Sequence, residues 1–188
     1  MRIQKLTVLL CLLGSLLGGC QLPQWQPGGG THTVGDGTFS VNVPPDWMYL
    51  EGRAGHLVAT NDGLYLQRIN MERTELKEPL SYSKRVLTAN LTPLELAEAV
   101  ADDLRADHAM MGLEVVENTP AELDGHPGFK LVITYHTEGN LRVSEAIVGA
   151  IVGENLYVLV YAGPTRYYFD RDRARFDEVV KSFRVTAK

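Results

Sequence analysis

The residues able to do chemistry are few and scattered. Cys20 follows Leu17-Gly18-Gly19, and the two glycines are small enough for the backbone to enter a protease active site. Cleavage between Gly19 and Cys20 would leave a thiol at a new N-terminus, where it can carry a thioether-linked lipid. Cys11 lies upstream and would leave with the cleaved piece. No thiol then remains for a disulfide, a thiolate metal site or a nucleophile. In an oxidising compartment the fold must stand on its core alone.

The five histidines, His32, His56, His108, His126 and His136, form no His-x-x-x-His or Glu-x-x-His pair on a helix. Their spacing reads as surface or packing histidines, and no metal is expected. Ser40, Ser81, Ser83, Ser144 and Ser182 lie outside any Gly-x-Ser-x-Gly. No Gly-x-Gly-x-x-Gly joins a strand to a helix. Glu95, Glu98, Asp102 and Asp103 fall at the start and outer face of a helix, where solvated carboxylates gain from the dipole. Asp170-Arg171-Asp172-Arg173 and Arg175 alternate in sign and read as an exposed, salt-bridged helix face. No catalytic residue and no cofactor are expected, and the chain is not read as an enzyme. Arg166, Tyr167 and Tyr168 form the one candidate contact patch. Adjacent tyrosines cannot share a face, and Tyr and Arg are favoured at interface hot spots.

Arg2 and Lys5 precede an almost uncharged run from Leu6 to Leu17. That run has the length of a signal-peptide core and is too short for a bilayer of about 30 Å. Residues 1–19 are therefore read as a signal peptide. Their removal takes Arg2 and Lys5 from the 18 basic residues and none of the 23 acidic ones. The mature charge is then about −7, which disfavours nucleic acid, since phosphate neutralisation needs a concentrated basic face. Residues 20–37, rich in Gly, Pro and Gln, are read as a flexible tether. Trp25 is its one large apolar residue; it reads either as a residue at the lipid headgroup level or as a simply exposed Trp.

Residues 38–188 are read as a single domain. Phe39, Val41 and Val43 alternate with polar residues as a half-buried strand, and Trp47 folds back on the core. Strands are expected at His56 to Thr60 and Leu64 to Arg73, and an irregular crossing from Lys77 to Leu91. Thr92-Pro93-Leu94-Glu95 is a capping-box helix start, and Gly112 suits the cap of a helix of about five turns. Strands then follow at Leu113 to Asn118, Phe129 to Thr137, Leu141 to Val152 and Leu156 to Ala162, joined by short turns as a meander. The last two are almost continuously apolar, as central strands covered on both faces are. A helix from about Arg166 to Ser182 supplies the second cover, with Phe183 and Val185 as an edge strand. The fold class is α+β: an α/β/α sandwich, its antiparallel sheet covered by helices on both faces.

Leu17-Gly18-Gly19-Cys20 resembles the lipobox of bacterial lipoprotein precursors. That resemblance implies diacylglycerol on Cys20, cleavage before it, and acylation of its amine by a chain such as palmitate. Several acyl chains suffice for stable anchoring. Gln21, where an Asp would retain an enterobacterial lipoprotein in the inner membrane, favours the outer membrane facing the periplasm. The stretches Phe39 to Trp47, Asp124 to Leu131, Leu156 to Leu159 and Phe176 to Phe183 resemble the PsbP-like fold, which includes DcrB-type envelope lipoproteins. This implies a non-enzymatic binding or assembly module, partnered by the membrane and another envelope protein. The alternative is a carrier or sensor of a small apolar ligand, lodged between sheet and helix near Met110-Met111.

Overall fold

The computed structural model describes residues 24–34, 37–52 and 55–186. Gly19, Cys20 and the apolar N-terminal run lie outside the described residues. Among those described, no helix is long and apolar enough to cross a membrane.

The elements in chain order are β1 (Gln26–Pro27), β2 (Thr31–Thr33), β3 (Phe39–Asn42), β4 (Met48–Glu51), β5 (His56–Thr60), β6 (Arg68–Glu75), α1 (Pro93–Arg105), β7 (Met111–Leu123), β8 (His126–His136), β9 (Arg142–Val152), β10 (Asn155–Pro164), α2 (Tyr168–Ser182) and β11 (Arg184–Val185). Eight strands form an antiparallel sheet in the order β1-β4-β5-β6-β10-β9-β8-β7, and β11-β3-β2 form a smaller one. The meander is as expected. One of its two-residue turns places Asp124 and Gly125 at φ 51° and 75°, the left-handed pair of such a hairpin. The long edge strand β7 carries Pro120, which an edge alone tolerates, and exposed Glu114 and Glu122 that discourage further pairing.

Two hydrophobic clusters form. One joins Phe169, Phe176 and Val179 of α2 to Ala146, Val148 and Ala150 of β9 and Tyr157, Leu159 and Tyr161 of β10. The other joins Leu96, Ala97 and Val100 of α1 to Phe129, Leu131 and Ile133 of β8, Ile147 and Leu156. Alternate residues of the same strands thus go to different clusters, as the period of two requires.

Several elements differ from expectation. The stretch read as a tether is built into both sheets between residues 26 and 33. Gln26 and Pro27 pair with Tyr49 and Met48, and Thr31 to Thr33 pair with Ser40 to Asn42. Of the glycines between them, Gly28 serves close approach, while Gly29 and Gly30 take φ 101° and 83°. Gly28 N–H donates to the Trp47 carbonyl at 2.7 Å and Gly29 N–H to the Val43 carbonyl at 3.0 Å. A Cβ on Gly28 would run into the Pro44 carbonyl and come within 2.8 Å of that of Trp47.

The capping box at Thr92 and Glu95 is present, but α1 is only 13 residues long. Asp107 ends it by taking the Ala109 N–H on its own carboxylate at 2.9 Å, a local turn that competes with the helix. Gly112, at φ 63°, lies inside β7 and does not cap the helix. β4 was not expected. β6 starts at Arg68 rather than Leu64, because residues 64–66 form a turn closed by Gly63. Ile69 and Met71 are its buried residues, and Trp47 is in the core as read. Phe183, read as part of an edge strand, is instead a buried core residue just ahead of β11.

Candidate functional site

β6 and β10 set a polar row beside an apolar one. Arg68, Asn70, Glu72 and Thr74 alternate with buried Ile69 and Met71, and stand opposite Ala162, Val160, Val158 and Leu156. Between these rows, α1 and the turn at residues 79–82, a cleft of about 300 Å³ opens. Ile147, Leu156, Val158 and Val160 make its apolar back.

Its polar end is assembled across three strands. Arg68 of β6 and Glu145 of β9 both pair with Ala162 of β10. Two strand spacings, about 10 Å, separate their backbones. The small Ala162 side chain lets the Arg68 guanidinium reach over it to 3.6 Å from Glu145 Oε1. From β8, the Tyr135 hydroxyl donates to the same oxygen at 2.9 Å. Glu145 is only 3% exposed. Its burial pushes the carboxyl above the ordinary value, while Arg68 and the Tyr135 hydrogen bond draw it part of the way back. The Tyr135 hydroxyl is itself raised, first by burial and then by the Glu145 charge. A buried carboxylate persists only with such partners.

α1 fixes the rim. Asp103 was read as solvated, but it is buried. Its Oδ1 accepts from the Tyr82 and Ser83 N–H groups at 2.9 and 2.7 Å and from the Ser83 hydroxyl at 2.8 Å. Three donors from the irregular crossing segment thus converge on one helix position. Glu98 and Asp102 are exposed as expected. Met110 lines the cleft, whereas Met111 is an exposed residue of β7. No histidine or cysteine lines the cleft. It can receive an amphipathic molecule, with an apolar body along Val158 and Val160 and a polar group at Arg68 and Glu145.

Reading the sequence alone missed Glu145, Arg68 and Tyr135. The available signal was a single carboxylate between Ser144 and Ala146 in an otherwise apolar strand.

The Arg166, Tyr167 and Tyr168 patch lies where β10 passes into α2. Arg166 and Tyr167 are exposed, Tyr167 at 63%, and Tyr168 is half-buried. Tyr167 has φ 80° and ψ −63°. The Tyr168 N–H turns back to the Arg166 carbonyl at 3.2 Å, the rarer, strained form of γ-turn. The two rings meet edge to face at 5.1 Å. Arg171, read as part of the salt-bridged helix face and not of this patch, holds its guanidinium 5.4 and 5.0 Å from their centres and bonds to Asp62 and Asp172. Asp172 is buried, which corrects its reading as part of an exposed face. A shallower groove of about 670 Å³ runs between residues 42–46 and α2, bridged by Arg175 and Asp46. Among the described residues, no group of three His, Cys, Asp or Glu side chains could hold a metal ion. His32 lies against the Tyr49 ring, 4.3 Å between centres.

No protein-family model matches the chain, and no curated protein matches its sequence. Solved structures do resemble it. Cyanobacterial PsbP (CyanoP) from Synechocystis sp. PCC 6803 superposes with a TM-score of 0.58 at 15% identity, over 89% of this chain and 96% of that one. LpqN, involved in cell envelope biogenesis of Mycobacterium tuberculosis, gives 0.58 at 15% identity, over 88% of this chain and 92% of its own. Mog1 gives 0.53 at 11% identity, over 89% and 98%. Identities this low speak to the fold, which is PsbP-like.

Proposed function

We propose that the chain is a cell-envelope lipoprotein, anchored by lipid on Cys20 at the outer membrane and facing the periplasm, that acts as a non-catalytic accessory module for another envelope protein. The observation that carries this reading is the fold shared with LpqN, a protein involved in cell envelope biogenesis, over most of both chains. The lipobox-like Leu17-Gly18-Gly19-Cys20 supports it independently. In the same reading α1 and α2 cover opposite faces of the large sheet. The division of alternate β9 and β10 residues between two clusters supports that arrangement. The strained Tyr167, with Tyr168, Arg166 and Arg171 around it, is the surface proposed to meet the partner, since backbone strain gathers at functional sites. In-cell crosslinking at native expression tests this. Adducts to an envelope protein are expected, and they should weaken in Tyr167→Ala. Recovery of the monomer alone would overturn the reading.

The cleft favours a second reading, a carrier or sensor of a small apolar ligand. Its apolar back and buried polar end are the arrangement ligand pockets show, at the small end of their usual size. An environment-sensitive apolar dye should bind the wild type and be excluded by Val160→Trp, which fills the cleft. Equal binding to both proteins would place the dye elsewhere and sink this reading.

A further inference from the structure

We infer that the domain lies directly on the bilayer, with the uncharged edge around Trp25 seated in the headgroup layer; this rests on the lipid anchoring proposed above. The first residue paired into the sheet, Gln26, is six positions after Cys20. Six extended residues reach at most about 22 Å, whereas a tether running to residue 37 would have allowed roughly 60 Å. The shortening follows from the pairing of β1 with β4 and of β2 with β3. Side-chain bonds pin the same segment. The Tyr49 hydroxyl donates to Gln26 Oε1 at 2.7 Å, and Thr31 Oγ1 to Asn42 Oδ1 at 2.7 Å. A domain held this close must present some surface to the lipid.

The surface at the exit of the chain suits that role. From Gln21 to Gly35 the sequence holds no Asp, Glu, Lys or Arg. An acidic chain would be repelled from anionic headgroups almost anywhere else. Pro27 shares a sheet face with its partner Met48, and Trp25 immediately precedes β1 at the same edge. Trp25 and Met48 are 40% and 39% exposed, and Pro27 is exposed beside them. An uncharged edge bearing a Trp matches the membrane interface, where amphipathic rings concentrate.

The test uses the full lipidated protein in phosphatidylcholine vesicles with brominated acyl chains, which quench nearby tryptophans. Trp47, the other tryptophan, is buried and supplies the background. Quenching is expected in the wild type and lost in Trp25→Phe. Lengthening the chain by ten residues before Gln24 leaves the anchor intact and tests whether the edge has affinity of its own; quenching should persist at a reduced level. Fatty-acid labelling, with Cys20→Ser as control, separates the two possible failures. A labelled protein whose quenching is no greater than that of Trp25→Phe overturns the docking and leaves the anchor standing. An unlabelled wild type overturns the anchor and the docking with it.

Discussion

The clusters built around α2 and α1 draw on alternate residues of the same strands, yet one is closed beneath a shallow groove and the other opens on a deeper cleft. The α2 cluster is closed by rings. Phe39 packs on Phe183 at 5.2 Å, and Tyr161 stacks on Phe169 and Phe176 at 5.6 and 5.8 Å. The small sheet and Trp47 complete the seal. The α1 cluster is mostly aliphatic, and its helix packs chiefly on β7 and β8. The row Arg68, Asn70, Glu72 and Thr74 of β6 therefore meets no helix. One strand thus serves both regions, giving Ile69 and Met71 to the sealed cluster and its polar residues to the cleft. Sealed core and open cleft are separated by the parity of a strand position.

Truncation should expose that difference most strongly. Phe176→Ala, in the sealed cluster, should cost about 3–5 kcal/mol in urea denaturation. Val160→Ala, beside the cleft, should cost less than about 1.5 kcal/mol, because solvent already reaches its neighbours. Equal costs would mean that the cleft is closed in solution.

Gly28 gives the next largest effect and separates a packed edge from a loose one. Gly28→Ala should destabilise by about 1–3 kcal/mol, since the new methyl meets the Pro44 and Trp47 carbonyls. In a mobile tether the same change would be neutral or slightly stabilising. The sign of the shift in the denaturation midpoint answers the question.

The buried carboxyl makes the cleft the pH-sensitive region. Glu145 holds its proton more tightly folded than unfolded, so its ionisation works against folding. Stability from this group is full below its ordinary value of 4.5 and falls as pH rises through the range above it. Glu145→Gln keeps an acceptor for Tyr135 and removes that slope. Thermal melts of the two proteins should diverge as pH rises from 4.5 towards neutrality, the variant gaining relative to the wild type. Groups held below their ordinary range, such as Glu117 by Lys130 and Asp46 by Arg175, give the opposite slope in acid and cancel in the difference.

Local chemistry was legible in the sequence and long-range pairing was not. The Thr92 capping box, the Asp124-Gly125 hairpin and the apolar β9 and β10 each announce themselves within a few residues. β1 and β2 could not, because two- and three-residue strands have no periodicity and their partners lie elsewhere in the chain. Pro27-Gly28-Gly29-Gly30 looks the same whether glycine supplies flexibility or clearance, and only the Pro44 carbonyl tells them apart. The site was hidden for the same reason. Arg68, Tyr135 and Glu145 meet because β6 and β9 flank Ala162, a register that no local pattern encodes. The Tyr167 patch was visible as composition, but the γ-turn and the Arg171 guanidinium were not.

That γ-turn yields the smallest effect and the most diagnostic sign. At an ordinary site, Gly is less stable than Ala by about 0.5–1 kcal/mol through chain entropy. Tyr167 stands at φ 80°, where a non-glycine residue carries strain of about 1–3 kcal/mol. Tyr167→Ala loses the ring contacts with Tyr168 and Arg171 and keeps the strain. Tyr167→Gly loses the same contacts and releases it. The Gly variant should therefore be the more stable of the two, by about 1 kcal/mol in denaturant midpoints, reversing the usual order. The usual order would show that Tyr167 is relaxed in solution. The patch would then lose the strain that sets it apart from any other exposed tyrosine.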